Sequence, residues 1–438
     1  MRSAFRHLSP NRNVSKCHSL VWGAVLLLAA TASLRAADQT FTPGAYIIDM
    51  GVIPQTAANG LKPFGLLYSL IISNEVPVSW AINPNKTADK NPAVTIEGTD
   101  FIVNGKTYRG GPFIIPSEQV NPAVTNQIAL WRAKGVVVDG PINQTFTAPI
   151  YQTLTSFPNV LLDLQNGAKL ITAFYGPAEV PATSYLVGNP NDVGVCHDVY
   201  AMPHADPQNW DAATRAKYLN FVLTGGYLWA SCHSVSALES PPPTYPGFNF
   251  LSTSSLIPWG AHLNRNTVPF IYNNNEPSIW ADPIMQFMGK IDLSLQGGSE
   301  EIYVPDSNGW APHAKVAVYD NFYADPRQPW ISHSNPSMAA AEVIFGRAYN
   351  NTNYGRVLYV GSHAFQADGV AQNTAVGRMY GNLILLTGLE RRPAMTPNIP
   401  STVLGGTTIN VSAAITGHGA PFTIQWSSSA GGSFGDAT

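Results

Sequence analysis

The chain has 438 residues, of which 12% are charged, about half the share of an ordinary soluble domain, while 45% are apolar. That pairing excludes a disordered polyelectrolyte, because enough apolar surface exists to bury a large core, and it excludes a coiled coil, which needs far more Glu, Lys and Arg. Residues 1–37 hold five of the 24 bases and no acid, which leaves 19 bases against 27 acids without a Lys/Arg cluster and argues against a nucleic-acid partner.

In chain order, basic residues up to Lys16 precede the apolar run Leu20 to Ala32 and the small pair Ala36-Ala37. This is the order of a secretory signal, predicted to occupy 1–37 and to leave an exported chain with no membrane span. Cys17 precedes the apolar run, which argues against a lipoprotein anchor. Residues 45–49 read as a buried parallel strand ending in Asp49. Leu61 to Ile72 has helical spacing, and Pro77 to Ile82 reads as a strand. Phe101–Val103 and Pro112–Ile115, joined across Asn104-Gly105, suggest a hairpin. Strand-like runs follow at Gly135–Val138, Lys169–Phe174 and Val199–Met202. A helix is expected over Pro207 to Thr224, with Asp206 as its cap and Gly225-Gly226 as its stop. Tyr227–Ser231 is the next buried strand, and a short helix over Val235 to Leu238 follows.

Residues 240–335 are rich in Pro, Asn and Trp and read as a long loop-rich insertion. The core pattern resumes at Gly355–His363. A last helix places Val376, Met379, Leu383 and Leu386 on one face and stops at Gly388. After Pro393, period-two alternation at Ile409–Ile415 and Phe422–Trp426 indicates antiparallel strands. These resemble the opening of a bacterial immunoglobulin-like or PKD-type sandwich. The 46 residues of 393–438 are too few to complete one, so a fragment is expected.

The chemistry concentrates on Cys232-His233-Ser234. An apolar strand, a reactive residue among small ones and a following helix have the logic of a nucleophile elbow. The helix start lowers a thiol pKa, and its N–H groups face an oxyanion. The segment Asp198…Met202-Pro203-His204, helix, Gly225-Gly226, Ala230-Ser231-Cys232-His233-Ser234 resembles the class I glutamine amidotransferase-like superfamily, nearest its PfpI-type protease and deglycase branch. The resemblance implies a flavodoxin-like α/β fold over 38–392, a parallel sheet with helices on both faces, with Cys232 as nucleophile and His233 beside it. It places the oxyanion loop at Pro203-His204-Ala205, where the family usually has Pro-Gly-Gly. Ala230 and Ser234 stand at elbow positions that are normally glycine. His363 takes the place of the triad histidine. Phe365 stands where glutaminases carry an acid, and Asp368 is the nearest substitute.

Three readings of the site remain open. In the first, Cys232 attacks an extracellular carbonyl compound, with His233, His363 or His204 in support. In the second, Cys196 and Cys232 form a disulfide, although Cys196 stands before its strand and Cys232 after its own, about 20 Å apart at 3.3 Å per residue. In the third, His204, Asp206, His233 and His363 hold Zn²⁺. No other cofactor is expected. Glu179 is a candidate third group or a surface residue, and His262, His313, His333 and His418 lie in loop-like sequence. The alternative to an enzyme is a secreted or cell-surface binding protein for a glycan, peptide or small molecule, using its ten tryptophans as stacking faces.

Overall fold

Two sheets, one antiparallel and one mainly parallel, carry the chain in the computed structural model. The structure describes residues 37–51, 55–86, 98–194, 196–239, 247–251, 270–272, 281–286, 302–303, 313–319, 340–360, 370–390, 394–398 and 412–416. The expected signal segment therefore lies almost wholly outside the described residues, as do His262, His333, His363, Asp368, His418 and the run 422–426. Among the described residues no helix is long and apolar enough to cross a membrane.

The first sheet takes β1 (Ala37–Phe41), β2 (Tyr46–Ile48), β3 (Val78–Ala81), β6 (Phe113–Ile115), β7 (Val138–Asp139) and β8 (Phe146–Leu154) in the order β1-β8-β3-β6-β2-β7. Every pairing in it is antiparallel. The run at 45–49 is thus antiparallel, not parallel as its composition suggests. Both of its faces are covered, which gives an antiparallel strand the continuous apolar run usual in parallel sheets. Its outer face, Ile47 with Ile114 and Ala148, lies under the hairpin β4 (Thr99–Val103) and β5 (Lys106–Arg109). Asn104 and Gly105, at φ 51° and 77°, make the turn expected for Asn-Gly. The hairpin's second strand is 106–109, and 112–115 belongs to the main sheet.

The second sheet begins with β9 (Val160–Asp163), β10 (Tyr185–Gly188), β11 (Val199–Met202), β12 (Tyr227–Ser231) and β17 (Arg356–Val360). These five are parallel and stand in the order β10-β9-β11-β12-β17. Numbered along the chain they read 2-1-3-4-5, the flavodoxin-like order, which confirms the expected fold class. Antiparallel β16 (Ala340–Arg347), β15 (His313–Tyr319) and β13 (Phe270–Tyr272) extend the sheet beyond β17, and β14 (Ile302–Tyr303) pairs with β16. The 240–335 segment thus contributes strands, and His313 opens one of them.

Helices fill the layers. Between the two sheets lie α1 (Lys62–Tyr68), part of α2 (Pro122–Ala133), α3 (Ala168–Leu170) and α6 (Val370–Glu390). Lys169–Phe174, expected as a strand, is helical, with α3 continuing into a wider turn at Ile171–Tyr175. Ile171, Thr172 and Phe174 give it strand composition, yet Leu170, Ala173 and Phe174 all turn to one buried side, as a helix requires. On the other face of the parallel sheet lie α4 (Ala212–Leu223) and α5 (His233–Leu238). The cap of α4 is Asp211, whose carboxylate accepts from the Thr214 N–H at 2.7 Å and is held below its ordinary range by that bond. Asp206 only precedes a separate 3-10 turn at Pro207–Asn209.

In α6 the four predicted residues are buried, as are Tyr380, Ile384, Leu385 and Arg378. A helix apolar on most sides fits a place between two sheets. It runs two residues past Gly388. Beyond it, β18 (Ala394–Asn398) pairs antiparallel with β19 (Ser412–Thr416), and the rest of 393–438 lies outside the described residues.

Candidate functional site

In a 2-1-3-4-5 sheet the order reverses between the first and third strands, and ligands bind beyond the carboxyl ends at that point. Here the reversal falls between β9 and β11, and β12 follows next to β11. Three loops therefore meet at one edge: 164–167 after β9, 203–208 after β11, and the Cys232 turn after β12.

Cys232 has φ 53° and ψ −132°, a conformation costly for any residue with a Cβ. The chain leaves the central strand β12 there and enters α5 at once. The Cys232 N–H donates to the Val360 carbonyl at 3.0 Å, and its own carbonyl accepts from Val235 at 2.9 Å. The backbone is thus locked on both sides into a sharp strand-to-helix turn of the elbow type. The thiol is 0% exposed and is in no disulfide, so the Cys196–Cys232 bridge does not form.

The 203–208 loop is fastened to both neighbours. The Ser234 hydroxyl accepts from the Ala205 N–H at 2.8 Å and donates to the Ala205 carbonyl at 3.0 Å. On the other side, Asn166 Nδ2 donates to the His204 carbonyl at 2.6 Å. Gln165 Nε2 donates to Asp206 Oδ2, and Gln165 Oε1 accepts from the Asp206 N–H at 3.2 Å. Gln208 Nε2 donates to Asp206 Oδ1 at 3.0 Å. Both carboxylate oxygens of Asp206 are therefore taken by amide donors. The Ala205 N–H, at the expected oxyanion loop, is directed to Ser234.

Sequence reasoning missed Asp163, which closes β9 at this edge and is almost fully buried. Tyr200 donates its hydroxyl to Asp163 Oδ2, and the Gln165 N–H donates to Oδ1 at 2.8 Å. Burial raises the Asp163 pKa, and the charge of Asp206 adds to the rise, while those two hydrogen bonds oppose it. The signal was present, since Val160-Leu-Leu-Asp163 is an apolar run ending in an acid, as at 45–49. A second unforeseen acid is Glu239, at the far end of α5. Its Oε1 accepts from Tyr359 at 2.6 Å and from the Leu251 N–H at 2.9 Å.

The structure brings together Cys232, the backbone of His233, His204 and Asp206. It does not bring Glu179, which pairs with Lys134 at 2.5 Å on the surface at the opposite edge. His363 lies outside the described residues, three positions after the end of β17. Among the described residues, no group of three or more His, Cys, Asp or Glu is placed to hold a metal ion.

Fold and turn together define a flavodoxin-like α/β unit with a cysteine at an elbow-type turn. The chain matches no family model and no curated protein. Among solved structures it is similar to a ThuA-like protein from Bacteroides uniformis ATCC 8492. The identity is 14%, covering 53% of this chain and 90% of that one, with a TM-score of 0.30.

Proposed function

We propose that the chain is an exported, amidotransferase-like protein acting as a cysteine-dependent hydrolase or amidase on an extracellular carbonyl compound, whether small molecule, glycan or peptide. The observation that carries this reading is the backbone of Cys232, forced to φ 53° at the carboxyl end of a central parallel strand. Strain of this kind, worth about 1–3 kcal/mol, persists where surrounding structure over-determines it and clusters at working sites. In this reading a histidine takes the Cys232 proton and the thiolate adds to the carbonyl carbon. The tetrahedral adduct expels the protonated leaving group, and water then hydrolyses the thioester. Thiol labelling of the secreted protein tests it, with cleavage near Ala37 checked by N-terminal sequencing. Cys232 is expected to react as a thiol of depressed pKa. A Cys232 thiol titrating at or above about 8.5 refutes the nucleophile.

A second reading, a binding protein on a catalytically silent fold, is favoured by the complete burial of the thiol and by the commitment of the Ala205 N–H to Ser234. Glycan-array binding that survives Cys232→Ala supports it, and a covalent substrate adduct on Cys232 defeats it.

A further inference from the structure

Met202 stands beside Ala230 in the parallel register of β11 and β12, so the residues following the two strands run side by side. His204 and Ala205 after β11 thus meet Cys232, His233 and Ser234 after β12, and the two Ser234–Ala205 hydrogen bonds fix that contact. His204 is clamped at both ends of its peptide unit. Asn166 holds its carbonyl oxygen, and Ser234 holds the N–H and C=O of the next residue. Ser234 is fully buried, and Asn166 is half-buried in the loop after β9.

We infer that Ser234 and Asn166 are the positioning residues of this centre, holding His204 beside the Cys232 turn so that His204 accepts the thiol proton. The step leaves a thiolate and an imidazolium, with no other reactant required. The inference rests on the nucleophile reading above. It gives the serine at the usual glycine position of the elbow a task, since glycine there could not hold the loop. The charged groups sharing these loops are Asp206, two residues after His204, and Asp163 at the end of β9. Asp206 is engaged by two amides and Asp163 by Tyr200 and Gln165, so both steady the loops without supplying the base.

The test is the ultraviolet absorbance of the Cys232 thiolate across pH in the full chain, taken as a difference from Cys232→Ser so that access to the buried sulfur does not matter. Wild type is expected to hold a thiolate near neutral pH. Ser234→Ala, Asn166→Ala and His204→Gln are each expected to raise the thiol pKa by about one unit, which lowers the thiolate population roughly tenfold at pH values below the wild-type pKa. A melting curve accompanies each variant, and half-buried Asn166→Ala decides the matter if Ser234→Ala does not fold. If wild type shows the thiolate and folded Asn166→Ala and His204→Gln keep it unchanged, the positioning inference is overturned while Cys232 remains the nucleophile. If wild type shows no thiolate below the ordinary range, both readings fall together.

Discussion

Asp100, on the hairpin strand β4, is a demanding position to perturb outside the site. Its carboxylate meets Lys86 Nζ at 2.5 Å with side-chain exposures of 3% for the lysine and 0% for the aspartate. It also accepts from the N–H groups of Asn83 and Gly111, each at 2.9 Å. Asp100→Asn keeps the shape but removes the charge, and it offers one oxygen and one NH₂ where two oxygens stood. Lys86 is left as a buried cation whose remaining bond, 2.6 Å to Gln286 Oε1, is to a neutral amide. Breaking a buried pair from one side costs about 3–5 kcal/mol. An N–H group left facing the new NH₂ adds about 1–3 kcal/mol. A loss of roughly 4–8 kcal/mol is comparable with the total stability of many domains, about 5–15 kcal/mol. Adding Lys86→Met removes the orphaned cation and is expected to recover about 2 kcal/mol or more. Urea unfolding read by tryptophan fluorescence measures both variants. Trp80 is a local reporter because its Nε1 donates to the Gly111 carbonyl at 3.1 Å. The reasoning fails if Asp100→Asn costs less than about 1 kcal/mol, the worth of a surface pair. It also fails if the double variant is less stable than the single one.

Three further outcomes are expected. A Cβ at Gly355 would sit 1.8 Å from the Gly226 carbonyl, so Gly355→Ala must part the starts of β12 and β17 by about 1 Å; a melt should show a cost of about 1–3 kcal/mol. Tyr359→Phe withdraws the hydroxyl from buried Glu239 and should cost about 1.5–3 kcal/mol in urea unfolding, against near zero if that bond carries no net energy. Burial raises the Asp163 pKa above 3.8, so its contribution to stability is fully present below that value and is lost as pH rises through the folded-state pKa. Asp163→Asn should therefore flatten the fall in melting temperature from about pH 4 towards 7, and a variant as pH-dependent as wild type contradicts this.

The elbow was legible because each of its parts leaves a local mark. Tyr227–Ala230 is apolar, Ser231 and Ser234 are small, and Val235–Leu238 begins a helix. The parallel strands β11, β12 and β17 showed themselves as short buried runs. What stayed hidden depends on contacts across the chain. β8 was overlooked because Pro149 interrupts its alternation, yet Pro149 pairs with Asp38 of β1 and stands beside the register shift at Ile150–Gln152 against β3, and bulges are among the places where a sheet accepts proline. Asp163 gave the same signal as Asp49, but only the order of strands shows that one closes a strand at the reversal point. The direct fastening of Ala205 to Ser234 could not be read from sequence either, because two residues 29 apart become neighbours only through the β11–β12 register.

The helix α6 also sets an order of events. Arg378 donates to the carbonyl of Met50, 328 residues earlier in the chain, and to those of Gly110 and Gln286. The apolar cluster that α6 completes joins Tyr46, Trp80 and Phe113 of the first sheet to Trp229 and Leu358 of the second. At about 5–20 residues per second, a ribosome needs roughly 15–65 s to pass from Met50 to Arg378. During that time α1 and α2 can cover part of the first sheet's inner face, and the rest lacks α6. The first sheet therefore has its full inner packing only once Arg378 and the rest of α6, 328 residues after Met50, are in place.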